Sequence, residues 1–289
     1  MQAAYGYEEE NEVFTGAVPD VRVNETPLQH ASQNYSQNHF EKAVPELEII
    51  LKKTPQDVKA RLLLSAIYLR QSQAQKAVPQ LEAAAGLENA AGFHPDFELE
   101  TSDTQNLLAT AYLQTGQTQK AIRLERASLA RAPKDPQTAF QLGVALEQAG
   151  NSSEAANAFA EAASLSRKDS VPFLLAGLLY HQVGDDAKSV PALNRALALG
   201  ASHKFEIYSA LAEAASNAGN FQEAVTDDTL ALKLQPSDFP TLANLGVENQ
   251  NLGRTEQARA LYQQALALKT GDAKSRAEIS AYLQNLDRA

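Results

Sequence analysis

The sequence predicts an all-α solenoid of about seven helix-turn-helix units closed by a C-terminal helix. Three observations carry this reading. The segment QTQKA ending at Ala121 returns in altered form as NSSEA ending at Ala155, NFQEA ending at Ala224 and RTEQA ending at Ala258. These alanines stand 34, 69 and 34 residues apart, one period and its double. Within each period two stretches place apolar or small residues three and four apart, the mark of one buried stripe per helix. Glycine recurs between the two stretches, at Gly116, Gly150, Gly184, Gly219 and Gly253, where a left-handed residue ends a helix. A fixed period of this size means stacked units, none of which can bury its apolar face alone.

Composition narrows the function classes. The chain has 289 residues, 44% of them hydrophobic, enough for a continuous core. It has no run of about 18 apolar residues, so no membrane span is written in it. A net charge of −10 argues against duplex nucleic acid and anionic lipid, which need clustered Lys and Arg. The absence of cysteine excludes disulfides, thiolate chemistry and cysteine-based zinc sites. The single methionine, Met1, is followed by Gln2, Ala3 and Ala4. That order fits a mature terminus behind an added start codon, so a periplasmic or secreted protein is expected ahead of a cytoplasmic one.

The elements follow in order. Residues 1–23 show no period. Their acidic run, Glu8 to Glu10 and Glu12 beside Tyr5 and Tyr7, reads as a flexible solvated tail, or as a motif that folds onto a partner or onto this chain's own groove. Repeats occupy 24–271. The first unit carries Ala31, Phe40, Ala43 and Leu47; the second carries Leu64, Ser65, Tyr68, Ala77, Leu81 and Ala84. Thr54 to Asp57 reads as a capping box opening that second unit, with Thr54 as the cap. Ala77 and Ala121 stand 44 residues apart, ten beyond the period. The excess falls at about 86–102 and is expected to be an inserted loop. The third unit holds Leu108, Ala109, Tyr112 and Ala121. Asp135-Pro136 opens the fourth, with a capping carboxylate before a proline at the first helical position; Leu142, Gly143, Leu146, Ala155, Phe159 and Ala162 follow. There Gly150 ends the first helix and Asn151 is expected to cap the second through its side chain. Asp169-Ser170 begins the fifth unit, with Gly177, Tyr180, Leu193 and Ala196. The sixth has Leu211, Ala212, Ala224 and Ala231, and Ser237-Asp238 begins the seventh, with Leu245, Gly246, Ala258, Tyr262 and Ala265. Pro45, Pro79 and Pro191 share one phase in the second helix and are expected to bend it. Residues 272–289 read as a solvating cap, its stripe formed by Ile279, Tyr282, Leu283 and Leu286.

These residues resemble the tetratricopeptide repeat (TPR) family over roughly 24–271. Its first helix wants Leu, then Gly or Ala, then Tyr; its second wants Ala, an aromatic or Leu four residues on, and Ala again. Glu125 in unit three and Ser189 in unit five depart from that pattern. The resemblance implies a right-handed superhelix, a non-enzymatic scaffold, and a concave surface lined by the first helix of each unit, where partner proteins or peptides bind. Projected onto this chain, the lining gives Leu62, Asn106, Phe140, Val144, Glu147, Leu174, Leu178, His181, Glu213, Asn244 and Asn251 as partner-binding residues. The centre of that groove, around Phe140, Val144, Leu174 and Leu178, is apolar. Asn106, Asn244 and Asn251 are placed to hydrogen-bond a ligand backbone. The family's cationic clamp for a C-terminal carboxylate is not matched, because Leu62, Asn106, Phe140 and Leu174 stand where Lys, Arg and Asn would be required.

Chemistry finds little support. None of the five histidines lies in an HExxH-like run, and no calcium loop, phosphate loop or nucleophile elbow occurs. No cofactor or metal is expected. Lys120, Arg123, Arg126, Arg131 and Lys134 read as a solvated outer face or a contact for an acidic partner. Two other functions compete with partner binding. One is self-association into a homo-oligomer through the tail or the solenoid ends. The other is an enzyme or ligand sensor that uses the 86–102 insertion, with His94, as a lid.

Overall fold

The computed structural model describes residues 26–91, 98–268 and 270–286. The described residues form fifteen helices and no strand. Seven pairs stack in sequence: α1 (Pro27–Ser36) with α2 (Phe40–Lys53), α3 (Val58–Arg70) with α4 (Ala74–Ala91), α5 (Glu98–Gln114) with α6 (Thr118–Arg131), and α7 (Pro136–Gln148) with α8 (Ser152–Leu165). α9 (Ser170–Gln182) with α10 (Asp186–Ala198), α11 (Lys204–Asn217) with α12 (Phe221–Leu234), and α13 (Phe239–Asn251) with α14 (Thr255–Ala267) complete the row, and α15 (Ala273–Leu286) closes it. The predicted solenoid and its capping helix are therefore present. The acidic tail and His94 lie outside the described residues.

Helix ends follow the local chemistry, with three corrections. Gly116, Gly150, Gly184, Gly219 and Gly253 all have φ between 71° and 78°, the left-handed region where a Cβ would clash. Asp135, Asp169 and Asp238 cap α7, α9 and α13 by accepting backbone N–H bonds. The second unit departs from expectation: Asp57, not Thr54, caps α3, and Thr54 instead ends α2. Asn151 precedes α8 but makes no side-chain cap bond. The expected loop at 86–102 is helical at both ends, because α4 continues to Ala91 and α5 begins at Glu98. Pro45, Pro79 and Pro191 each stand sixth in α2, α4 and α10, and each is exposed. The ring therefore lies on the wet side of its helix, where water can serve the carbonyl it leaves unpaired.

Packing within a pair depends on one small-to-large contact. A Cβ on Gly143 would stand 2.8 Å from the Phe159 ring, and one on Gly177 would stand 2.6 Å from Leu193 Cδ2. Gly246 meets Tyr262 in the same way. In units three and six the pair changes. Alanine replaces glycine at Ala109 and Ala212, and the large apolar residue becomes Glu125 and Asp228. Both acids are nonetheless buried, at 1% and 2% exposure. A second recurrence lies at the turns. Lys76, Lys120 and Lys188 sit over the rings of Tyr68, Tyr112 and Tyr180 at 5.4, 4.9 and 5.0 Å, within cation–π range.

The apolar core is not continuous. One cluster runs from Ala31 to Tyr180. A second joins Leu174, Leu193, Ile207 and Leu211. A third begins at Phe239 and ends at Ile279. Between the second and third lie small alanines and two buried carboxyls, Asp228 and Glu248. No described helix is long and apolar enough to cross a membrane.

Candidate functional site: the inner helical face

The first helices of successive units touch along one side: α1 meets α3, α3 meets α5, α5 meets α7, and α9 meets α11. Gln148 Nε2 on α7 donates to the Leu113 carbonyl on α5 over 3.2 Å, tying that inner layer together. An open cleft of about 580 Å3 runs across the first four units of this face. Its lining repeats the helical period. Leu28, Ser32 and Tyr35 come from α1; Lys59 and Leu63, and Leu62 and Ala66, come from α3. Asn106 and Thr110 come from α5, and Gln137 and Gln141 from α7. Residues four apart share one helix face, so each helix presents a short stripe to the cleft.

The stripes divide by chemistry. Leu28, Leu62, Leu63 and Leu107 form half-buried apolar ground. Asn106, Gln137 and Gln141 supply side-chain amides that make no hydrogen bond within the described residues. The Thr110 hydroxyl is already committed to the Asn106 carbonyl at 2.8 Å.

Two of the sequence-derived groove residues, Leu62 and Asn106, therefore line the cleft. The others lie further along the inner helices and are used differently. Phe140 is half-buried, with its ring edge-on to Phe159 at a centroid distance of 5.2 Å. Val144 and Leu178 are half-buried against core clusters. Leu174 is 3% exposed and packs with Leu193 and Ile207, so it offers a ligand almost no surface. The centre of the groove is apolar in sequence but largely filled by its own neighbours. Glu147, Glu213, Asn244 and Asn251 are exposed, and Asn251 Nδ2 donates back to the Val247 carbonyl at 3.0 Å. Although the Glu147 residue is exposed, partial desolvation of its carboxyl by the surrounding helices raises its pKa.

His181 is not free for a ligand. Its Nδ1 lies 2.9 Å from Asp186 Oδ1 on α10 and its Nε2 3.2 Å from Glu213 Oε2 on α11. Burial pushes its pKa down, but hydrogen bonds and charge attraction from both carboxylates outweigh this and raise it. The ring therefore joins α9, α10 and α11, and its protonated form is favoured.

Sequence reasoning missed Tyr35, Leu63, Gln137 and Gln141. Gln137 and Gln141 stand four apart on α7, and Gln141 lies one 34-residue period beyond Leu107, a phase next to the projected one that continues Asn106 as Phe140.

A stack of helix pairs with an open inner cleft defines a helical-repeat protein. The chain belongs to the tetratricopeptide repeat family, whose profiles match residues 28–92, 106–170 and 241–270, together more than half of its length. No curated protein sequence matches it. Solved structures show the same fold. The C-terminal part of a TPR repeat-containing protein from Cytophaga hutchinsonii is similar at 17% identity and a TM-score of 0.65, over 86% of this chain and 97% of that one. A tetratricopeptide repeat protein from Parabacteroides merdae aligns at 16% identity and a TM-score of 0.53, over 90% and 97%. YrrB, described as a TPR protein with an unusual peptide-binding site, aligns at 20% identity and a TM-score of 0.51, over 63% and 89%.

Proposed function

We propose that this protein is a non-enzymatic scaffold that docks an extended peptide segment of a partner protein in the cleft spanning α1, α3, α5 and α7. The observation that carries this reading is the pairing of leucine ground with unpaired amides in one open cleft. Apolar side chains of the segment would bury against Leu28, Leu62, Leu63 and Leu107, at roughly 25 cal/mol per Å2 before ordering costs. The amides of Asn106, Gln137 and Gln141 can each donate and accept, which suits both groups of a peptide backbone. Recognition of this kind fixes register while tolerating varied side chains. The described peptide site of YrrB supports the same use of the fold in a similar structure.

The test is selection from a displayed library of short random peptides. Wild type is expected to enrich sequences with spaced apolar residues. Leu62→Asp is expected to lose them, weakening binding about tenfold or more, while Leu178→Asp retains them. Failure of wild type to enrich any peptide, or retention by Leu62→Asp at unchanged helicity, would overturn the reading.

A further inference from the structure

The second and third core clusters are separated at the stacking interface between α12 and α13. Asp228 on α12 and Glu248 on α13 face one another there, at 2% and 1% exposure. Neither Glu248 oxygen, nor Asp228 Oδ2, makes a hydrogen bond of ordinary geometry. Every other unit with a large residue at the Asp228 phase fills this place with carbon, as Leu81, Phe159, Leu193 and Tyr262 do, except Glu125 in unit three. Among the described residues, this is the joint at which a buried carboxyl stands on each side of the interface.

Among the described residues, the charges that act on either group are acidic. Asp228 feels Glu248 and Asp238 from α13, Glu213 from α11 and its own neighbour Asp227. Glu248 feels Asp228 and Asp227. From α14, Tyr262 gives its hydroxyl to Gln250, and Arg259 is directed to Glu256 and the Leu286 carbonyl. Glu213, which acts on Asp228, is itself bonded to His181 Nε2 at 3.2 Å. Burying an unpaired carboxylate is strongly unfavourable, and two facing ones are worse.

We propose that the joint between the sixth and seventh units is a proton-controlled hinge, closed while the Asp228–Glu248 pair carries a proton and loosened when both carboxyls ionise. Opening would separate α13, α14 and α15 from the rest of the stack, since each unit of a solenoid is held only by its neighbours. Burial comes first in raising both carboxyls above the ordinary range; the charges of Asp227, Asp238 and Glu213 add to it at Asp228 against an opposing hydrogen bond from Glu248, and the charge and hydrogen bond of Asp228 add to it at Glu248. Protons are thus taken up on closing, and the joint weakens as pH rises.

Hydrogen exchange of the full chain, corrected for intrinsic rates, reads this directly. Between about pH 5.5 and about pH 8.5, protection in α13 and α14 should fall about tenfold or more beyond any change in α3 and α4, which carry no buried acid among the described residues. Asp228→Asn with Glu248→Gln, which keeps shape and removes charge, should abolish that extra loss. Equal change in both segments of wild type would overturn the proposal, and so would an extra loss that persists in the neutral variant. If the double variant does not fold, Glu248→Gln alone must at least halve the extra loss, and an unchanged loss contradicts the hinge.

Discussion

At Gly177 a single hydrogen atom decides whether two helices can meet. A Cβ there would press on Leu193 Cγ and Cδ2 at 2.7 and 2.6 Å, with the Leu193 backbone nitrogen at 3.1 Å behind it. Gly177→Ala is therefore expected to destabilise the fold by ~1–3 kcal/mol through overpacking. Gly86 is the control: it is helical, with nothing within 4 Å of its added Cβ. Gly86→Ala is expected to stabilise by about 0.5–1 kcal/mol through backbone entropy. Denaturant titration of both variants checks the opposed signs. Glu125 shows the complementary case. Burial first, and the nearby Asp135 charge second, push its pKa up to about 8. An acid whose folded pKa is raised stabilises fully below its unfolded value and loses that contribution as pH rises through its folded one. Wild-type stability should thus decline between the ordinary carboxylate range and about pH 8. Glu125→Gln should reduce that decline, and unfolding midpoints across pH measure it. The raised pKa of His181 acts in the same direction.

Element ends show which sequence signals were sufficient. Glycine positions and aspartate caps were legible because each needs only its own few residues. Asp135 accepts from Gln137 N and Thr138 N at 3.2 and 3.1 Å, so Asp135→Ala should cost ~1 kcal/mol. Asn151 looks equally suited in sequence but makes no such bond, and Asn151→Ala should change thermal stability by only a few tenths of a kcal/mol. The error at Thr54 has a similar origin: two good caps stand three residues apart, and the end of α2 decides which is used. The 86–102 excess was misread because glycine and proline within it suggested a loop, whereas extra turns on α4 and α5 absorb most of it. Phe140 and Leu174 mark the limit of phase arguments. Helical phase tells which side a residue faces, but the next unit decides how much of that side remains open. Leu62 and Asn106 stay accessible, while Leu174 is covered by Leu193 and Ile207.

Across the whole molecule the repeat was legible because seven units share one phase, and a stack has few alternatives once its period is known. The final helix completes it. Ile279 is 4% exposed, Tyr282 lies against Tyr262 with ring centroids 6.0 Å apart, and the Arg276 guanidinium binds the Leu266 carbonyl at 2.8 Å. Truncation after residue 272 should uncover Tyr262 and its neighbours, lowering the unfolding temperature and raising the solution mass by self-association. Light scattering of the truncated and full chains reads that change.

The central claim is that binding belongs to the inner cleft of the first four units. Photo-crosslinking of a library-selected peptide tests it most directly, with a photoreactive residue placed at Gln141 inside the cleft or at exposed Leu234 on α12. Crosslinks are expected from position 141 that Leu62→Asp abolishes, and none from position 234. Crosslinking from 234 alone, or from 141 with no response to Leu62→Asp, would contradict it.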